Sequence, residues 1–405
     1  MSVVTRREFL QTGTGALAGL AGLSLWIDPR PGLAQGPGRP LLVVIFLRGG
    51  ADGLHLVPAI GDPAYRKLRG PLALSEALKL DARFGLHPGL ADLAPLYERG
   101  NLAIVHAAGS SAGTRSHFEA QDLMEAGTVP GLRVAGGWLG RAFGPAARIG
   151  AREDSGRFAS LALTEQLPLT LRGSGGFAID DPARFARAAA DPSTVRMLER
   201  LYAPDADHDD PVRAAGREAL AAVAELRNAE ARSAARRKRG AASRLTDRVE
   251  DLISLEQAGL GIRVVFLESD GWDSHSAQGA ERGMLGRSIR DLGVSVRRLV
   301  DGFGERRDLL VVALTEFGRT VRPNGAGGTD HGHGSAILVA GPRVRGGIYG
   351  AWPGLDAASL HEGRDLPVTT DYRSVLTEVL ASQLGTRAAS AAFPGFEPRS
   401  LSLLG

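Results

Sequence analysis

Runs of apolar residues recur along the chain, each closed by glycine-rich or polar sequence. Residues 41–47 (LLVVIFL) and 309–314 (LLVVAL) are continuous and rich in β-branched side chains, as in strands buried on both faces. Residues 102–107, 262–267 and 336–340 repeat that pattern, and 159–163 and 167–171 are shorter strand candidates. Between them, 87–99 reads as an amphipathic helix and 280–303 as a crossover helix leading into the strand at 309. Residues 211–260 are rich in Ala, Leu, Glu and Arg and predict two helices; the tail after 346 predicts a short edge strand and a helix over 372–385. Buried strands alternating with helices predict an α/β fold with an open, mostly parallel sheet.

The chemistry gathers where these strands end. Asp52 follows the first strand, and Ser116 and His117 follow the strand at 102. Asp273 and His275 follow the strand at 262; Glu316 and Arg319 follow the strand at 309. Asp330, His331 and His333 then lead into the strand at 336. Open α/β sheets bind ligands just outside the carboxyl ends of their strands. Asp273 and His275 are two apart, so in extended chain both can face one side. Carboxylates mixed with imidazoles suit divalent Zn or Mn better than Mg or Ca. The set is large enough for one ion or two. Asp52, Asp273, His275, Glu316, Asp330 and His331 are the expected ligands. Ser116 is the candidate nucleophile, with Arg319 and His333 expected at the substrate; His117 either touches substrate or metal or packs. Ser116 with Glu119 also matches a capping box at a helix start, a place that favours an anion.

Composition narrows the classes. Of 48 basic residues only three are Lys, 45 acids are interspersed, and the net charge is +3, so no nucleic-acid footprint is expected. Cysteine is absent, which removes thiolate ligands, cysteine nucleophiles and disulfides. No G-x-G-x-x-G opens a helix after the first strand, which argues against a dinucleotide site. Arg236-Arg237-Lys238-Arg239 reads as a solvated helix face or a turn.

The amino terminus predicts export. Thr5-Arg6-Arg7-Glu8-Phe9-Leu10 is a twin-arginine signature ahead of a mild apolar stretch, and Gly32-Leu33-Ala34 offers small residues for cleavage after Ala34. The apolar stretch is under about 18 residues, too short for a stable span. The expectation is a twin-arginine (Tat) signal peptide over 1–34 that engages the Tat export machinery. A single domain over 35–405 follows, with a cap or insertion around 130–260, in the periplasm or outside the cell.

RGGADGL, RSHFEAQ, GWDSH and TEFGRT…NGAGGTDHG together resemble the secreted bacterial domain-of-unknown-function family numbered 1501 (DUF1501), from about residue 41 onward. That family is similar to the alkaline-phosphatase and sulfatase superfamily, which implies a doubly wound α/β/α sandwich. The resemblance also implies the order Asp, Ser or Thr, Asp/His pair, acidic site, last His, which Asp52, Ser116, Asp273 with His275, Glu316, and His331 or His333 follow. Two departures stand out. Glu316-Phe317 replaces the usual Asp-His, and the superfamily spaces its Asp/His pair more widely than D-x-H. Either Asp330 supplies the ligand that Phe317 cannot, or one of two metal sites is lost. The expected function is an exported metal-dependent hydrolase of phosphate or sulfate esters, a small anionic substrate attacked by serine or metal-bound water. The alternative is a non-catalytic exported binding or scaffold protein that keeps the fold.

Overall fold

The computed structural model describes residues 26–27, 40–144, 157–188, 192–203, 211–233, 245–303 and 308–405. The twin-arginine signature, Ala34 and the Arg236–Arg239 run lie outside them.

The strands are β1 (Trp26–Ile27), β2 (Leu41–Leu47), β3 (Leu78–Lys79), β4 (Gly85–Leu86), β5 (Leu102–Gly109), β6 (Ser160–Ala162), β7 (Phe177–Ala178), β8 (Val264–Ser269), β9 (Leu309–Leu314), β10 (Ser335–Ala340), β11 (Gly347–Tyr349) and β12 (Thr370–Asp371). All but β3 and β4 form one sheet in the order β1-β7-β6-β8-β2-β9-β10-β5-β11, with β12 also on β5. The sheet is mostly parallel; β1, and β10 against both its neighbours, run antiparallel.

β2 is central, and its alternation makes the two layers. Leu41, Val43, Ile45 and Leu47 enter one core with Leu90, Leu292 and Leu299; Leu42, Val44 and Phe46 enter the other with Trp138, Val375 and Val379. Helices therefore cover both faces, with Met284–Phe303 on the first and Tyr372–Leu384 on the second. This is the expected α/β/α arrangement. Among the described residues no helix is long and apolar enough to cross a membrane.

Two expected elements differ. Residues 87–99 form a 3-10 segment, Pro88–Leu93, which Leu90 interrupts by leaving helical geometry (φ −98°, ψ 17°), and then a short α-helix, Ala94–Glu98. Residues 167–171 form a 3-10 turn, Leu169–Leu171, after Pro168. The segment around 130–260 adds β6 and β7 to the sheet next to β8.

Strand direction gathers the loops. β2, β8 and β9 are parallel neighbours, so residues 48–52, 270–275 and 315–319 leave at one edge. β10 runs back against β9, so residues 330–333 enter at that edge, and β5, antiparallel to β10, delivers residues 110–117 there too.

The fold also buries histidines in neutral form. His106 on β5 donates from Nε2 to the Val57 carbonyl (2.9 Å), accepts the Ala107 N–H at Nδ1 (2.9 Å), and stacks on Phe84. Burial lowers its pKa from 6.5 to about 4, and lowers that of His55 to about 3. The folded values lie below the unfolded one, so the unfolded chain binds more protons in this window and stability falls as pH drops through it. The urea midpoint is expected to fall between about pH 6.5 and about pH 4, and His106→Gln, which keeps a donor for Val57, to flatten that slope. An unchanged slope in the variant counts against this assignment.

Candidate metal centre

β2 leaves the sheet through two glycines that no larger residue could replace. Gly49 and Gly50 have φ of +117° and +68°; a Cβ on Gly49 would lie 2.6 Å from the Asp273 nitrogen, and one on Gly50 2.5 Å from the Phe317 ring. Their carbonyls face the buried guanidinium of Arg319. Its Nε donates to Gly50 O (2.7 Å), Nη1 to Thr329 O (2.9 Å), and Nη2 to the carbonyls of Gly49 and Trp272 and to Asp273 Oδ1. One side chain thereby ties the ends of β2 and β8 to the glycine-rich loop and aims the Asp273 carboxylate.

Three imidazoles surround that carboxylate, each with its Nδ1 on an oxygen acceptor. His117 Nδ1 meets Glu316 Oε1 at 2.8 Å, His275 Nδ1 meets Asp330 Oδ1 at 3.1 Å, and His331 Nδ1 meets the Arg115 carbonyl at 2.7 Å. These oxygens accept only, so each ring donates from Nδ1 and turns its Nε2 toward the carboxylate. The Nε2 atoms and the carboxylate meet. Nε2 of His275 and of His331 are 2.8 Å apart, and Asp273 Oδ1 lies 3.1 Å from His275 Nε2 and 3.5 Å from those of His117 and His331. His117 Nε2 is buried and has no hydrogen-bond partner. Burial, with the charges of its neighbours, lowers the pKa of His331 and favours its neutral form. Phe317 backs the cluster, its ring centroid 4.8 Å from those of His117 and His331.

Three Nε2 atoms turned toward one carboxylate oxygen form an arrangement that a cation among them would complete. His117, Asp273 and His331 offer donor atoms within 4.8 Å of one another, a possible metal site. His275 adds a fourth donor. An imidazole whose far nitrogen is held by a carboxylate or carbonyl is the usual form of a metal-bound histidine. The residues present fit a divalent ion.

A family model described as "Protein of unknown function (DUF1501)" matches residues 39–391. The chain belongs to the DUF1501 family. No curated protein matches it in sequence. Among solved structures it is similar to the C-terminal periplasmic domain of EptC from Escherichia coli in complex with Zn, at 10% identity and TM-score 0.34 over 77% of this chain and 76% of that one. It is also similar to the TAB5 alkaline phosphatase mutant His 135 Asp with Mg bound in the M3 site, at 12% identity and TM-score 0.34 over 78% and 95%. The alkaline phosphatase from the Antarctic bacterium TAB5 gives 10% identity and TM-score 0.32 over 76% and 92%. With values this low, the chemistry of this DUF1501 protein has to come from its own side chains.

Those side chains sort the expected residues into three groups. Asp273, His275 and His331 meet at the cluster, and His117, left open between metal, substrate and packing, joins them. Glu316 and Asp330, expected as ligands, support the imidazoles instead. Glu316 is buried, and Oε1 accepts from Gly49 N (2.9 Å), Gln121 Nε2 (2.8 Å) and His117, while Oε2 accepts from Thr315 Oγ1 (2.9 Å). Burial alone would raise its pKa, but the bonds from Gln121, His117 and Thr315 hold it below the usual range. Asp330 accepts from Asn324 Nδ2 (2.9 Å) as well as from His275. Glu316→Gln is therefore expected to weaken metal affinity by about 10–100-fold without emptying the site, as measured by competition with a chelating dye. Unchanged affinity would remove Glu316 from the account.

The remaining residues face elsewhere. Asp52 caps Gly53–Leu56 and pairs with buried Arg69 at 2.5 Å, so its carboxylate is satisfied away from the imidazoles. Arg319, expected at the substrate, is enclosed with its donors on carbonyls and Asp273. His333 lies between Asp365 Oδ2 (2.9 Å) and the Gly113 carbonyl (3.3 Å) and is buried, not at the cluster mouth. Ser116 is exposed at the start of His117–Ala126 and makes no side-chain capping bond; Thr114 Oγ1 bonds Glu119 (2.7 Å) instead, so the expected capping box is absent. Sequence reasoning missed Gln121, though it lies four residues after His117 on one helix face and reaches the same Glu316 oxygen. It also missed Arg115, whose backbone carbonyl orients His331 and which no sequence signal marks.

Proposed function

We propose that this protein is an exported, metal-dependent hydrolase of phosphate or sulfate esters, with His117, Asp273, His275 and His331 as ligands. The observation that carries the reading is the meeting of three Nε2 atoms with one carboxylate oxygen. Three nitrogens and an oxygen suit zinc first and manganese second. A divalent ion held there would act as a Lewis acid on an ester oxygen and lower the pKa of an attacking hydroxyl or water.

The chain's own groups supply the rest. Asp273 and His275 are about half exposed (48% and 45%), which leaves a face open to substrate. The free N–H groups starting His117–Ala126 favour an anion at that mouth. The Ser116 hydroxyl stands beside them, uncommitted to capping, as the proposed nucleophile. Its oxygen would give up its proton to solvent and form a bond to phosphorus or sulfur as the ester oxygen leaves and takes a proton from solvent; water would then attack the phosphorus or sulfur, break the bond to Ser116 Oγ, release the acid and return a proton to the hydroxyl. Export rests on the twin-arginine leader, which delivers proteins already folded.

A panel of aryl phosphate and sulfate esters with zinc- and manganese-loaded protein tests this reading. The expected result is turnover of at least one ester, lowered about 1,000-fold or more in Ser116→Ala. A loss below about tenfold would pass the attack to water and leave the metal ligands in place. No turnover of any ester by metal-loaded protein would favour the binding-protein alternative.

A further inference from the structure

The sequence leaves open whether the centre holds one ion or two. Two-ion centres need separate donor sets and carboxylates free to neutralise both charges. Here Asp52, Glu316, Asp273 and Asp330 each already face a fixed positive or hydrogen-bonding group, Asp330 Oδ1 taking Asn324 Nδ2 (2.9 Å) and His275 Nδ1 (3.1 Å). Asp52 Oδ2 takes Arg69 Nη2 and Gln278 Nε2 (2.9 Å), its Oδ1 takes the His55 N–H (3.2 Å), and Arg69 Nη1 is anchored on the Val321 carbonyl (3.2 Å). Glu316 is filled by Gly49, Gln121, His117 and Thr315. Asp273, the one carboxylate in the cluster, shares Oδ1 with Arg319, whose guanidinium is held from behind by backbone carbonyls. Phe317 lays an apolar ring against His117 and His331, its centroid 4.8 Å from each, and offers no donor on that side. Among the described residues the one group of donors that could hold an ion is His117, Asp273 and His331, and His275 Nε2 joins it 2.8 Å from His331 Nε2 and 3.1 Å from Asp273 Oδ1.

We infer that the centre binds a single divalent ion through His117, Asp273, His275 and His331, and that Arg319 and Arg69 hold the carboxylates a second ion would need. A guanidinium suits that role because it stays charged and presents a planar fork. The inference rests on the metal-centre reading above and fixes its stoichiometry. In chemical terms, the protein carries one exchangeable Lewis acid, with two permanent cations built into the fold.

Titration of the metal-free full-length chain with Co(II), followed by visible absorption and by elemental analysis after dialysis, tests the inference. The expected result is a d–d band that saturates at one equivalent and one retained ion per chain. His275 is half exposed, so His275→Ala should keep the fold, measured by circular dichroism, while shifting the band and weakening affinity by more than about tenfold. Saturation at two equivalents would overturn the inference and leave the metal reading standing; an unshifted band in His275→Ala would overturn the inference and remove His275 from the ligands of that reading, leaving His117, Asp273 and His331. No Co(II) uptake would overturn both.

Discussion

Asp273→Ala should strip the protein of its ion while leaving it folded. Asp273 Oδ1 is the carboxylate oxygen among the three Nε2 atoms, and without it the site presents imidazoles with no anionic ligand. Arg319 loses one partner but keeps the carbonyls of Gly49, Gly50, Trp272 and Thr329, so the knot between the loops survives. His331→Ala should act alike, by removing a ligand and its tie to Arg115. The expected loss of affinity in each exceeds roughly 100-fold, beyond the range typical of outer-shell partners. Ion content by mass spectrometry should fall from one per chain to under about a tenth. His361 is the control: its ring lies 4.1 Å from that of His333 and it has no part in the cluster, so His361→Ala should keep its ion. Full ion content in both Asp273→Ala and His331→Ala would refute the site.

Arg69→Met should be among the most destabilising single changes in the chain, at about 3–5 kcal/mol, because it leaves the Asp52 carboxylate buried without its cation. The pair is enclosed, at 0% and 2% exposure. Burial alone would raise the pKa of Asp52; the charge of Arg69, with His55 and the bond from Gln278, lowers it below the usual value. The pair's stabilising contribution is therefore present above the unfolded pKa near 3.8 and is lost as pH falls through the lower folded value. In Arg69→Met the carboxylate escapes its penalty by taking a proton, so the deficit should be largest near neutral pH and shrink toward about pH 4. Adding Asp52→Leu should recover much of the loss, since a packed apolar pair can replace a buried ion pair. Urea midpoints across pH give the comparison. A neutral-pH loss below about 1 kcal/mol would mean that water reaches the pair.

The sheet was legible because its strands are buried on both faces. Leu41–Leu47 and Leu309–Leu314 begin and end where their unbroken apolar runs do, and β5, β8 and β10 shift by a residue or two. Asp273 and His275 were legible as a pair because extended chain repeats every two residues, and their atoms do meet, 3.1 Å apart. What could not be read is which shell each acid occupies. Glu316 and Asp330 look like ligands in one dimension because the donors that fill them arrive from elsewhere: Gln121 from the helix His117–Ala126, Gly49 from the loop after β2, and Asn324 from a turn within the glycine-rich segment. Asp52 misled for a related reason: its partner, Arg69, lies in an unremarkable amphipathic stretch. The segment 87–99 carries helical periodicity, but the kink at Leu90 splits it.

The most direct test is a crystal structure of the full chain grown with zinc and measured at the zinc absorption edge. The account predicts one anomalous peak per chain, about 2.0–2.1 Å from Nε2 of His117, His275 and His331 and in reach of Asp273 Oδ1, with Glu316 and Asp330 still on the far side of the rings. A peak bound instead by Asp52 or Glu316, or no peak among the three imidazoles, would contradict it.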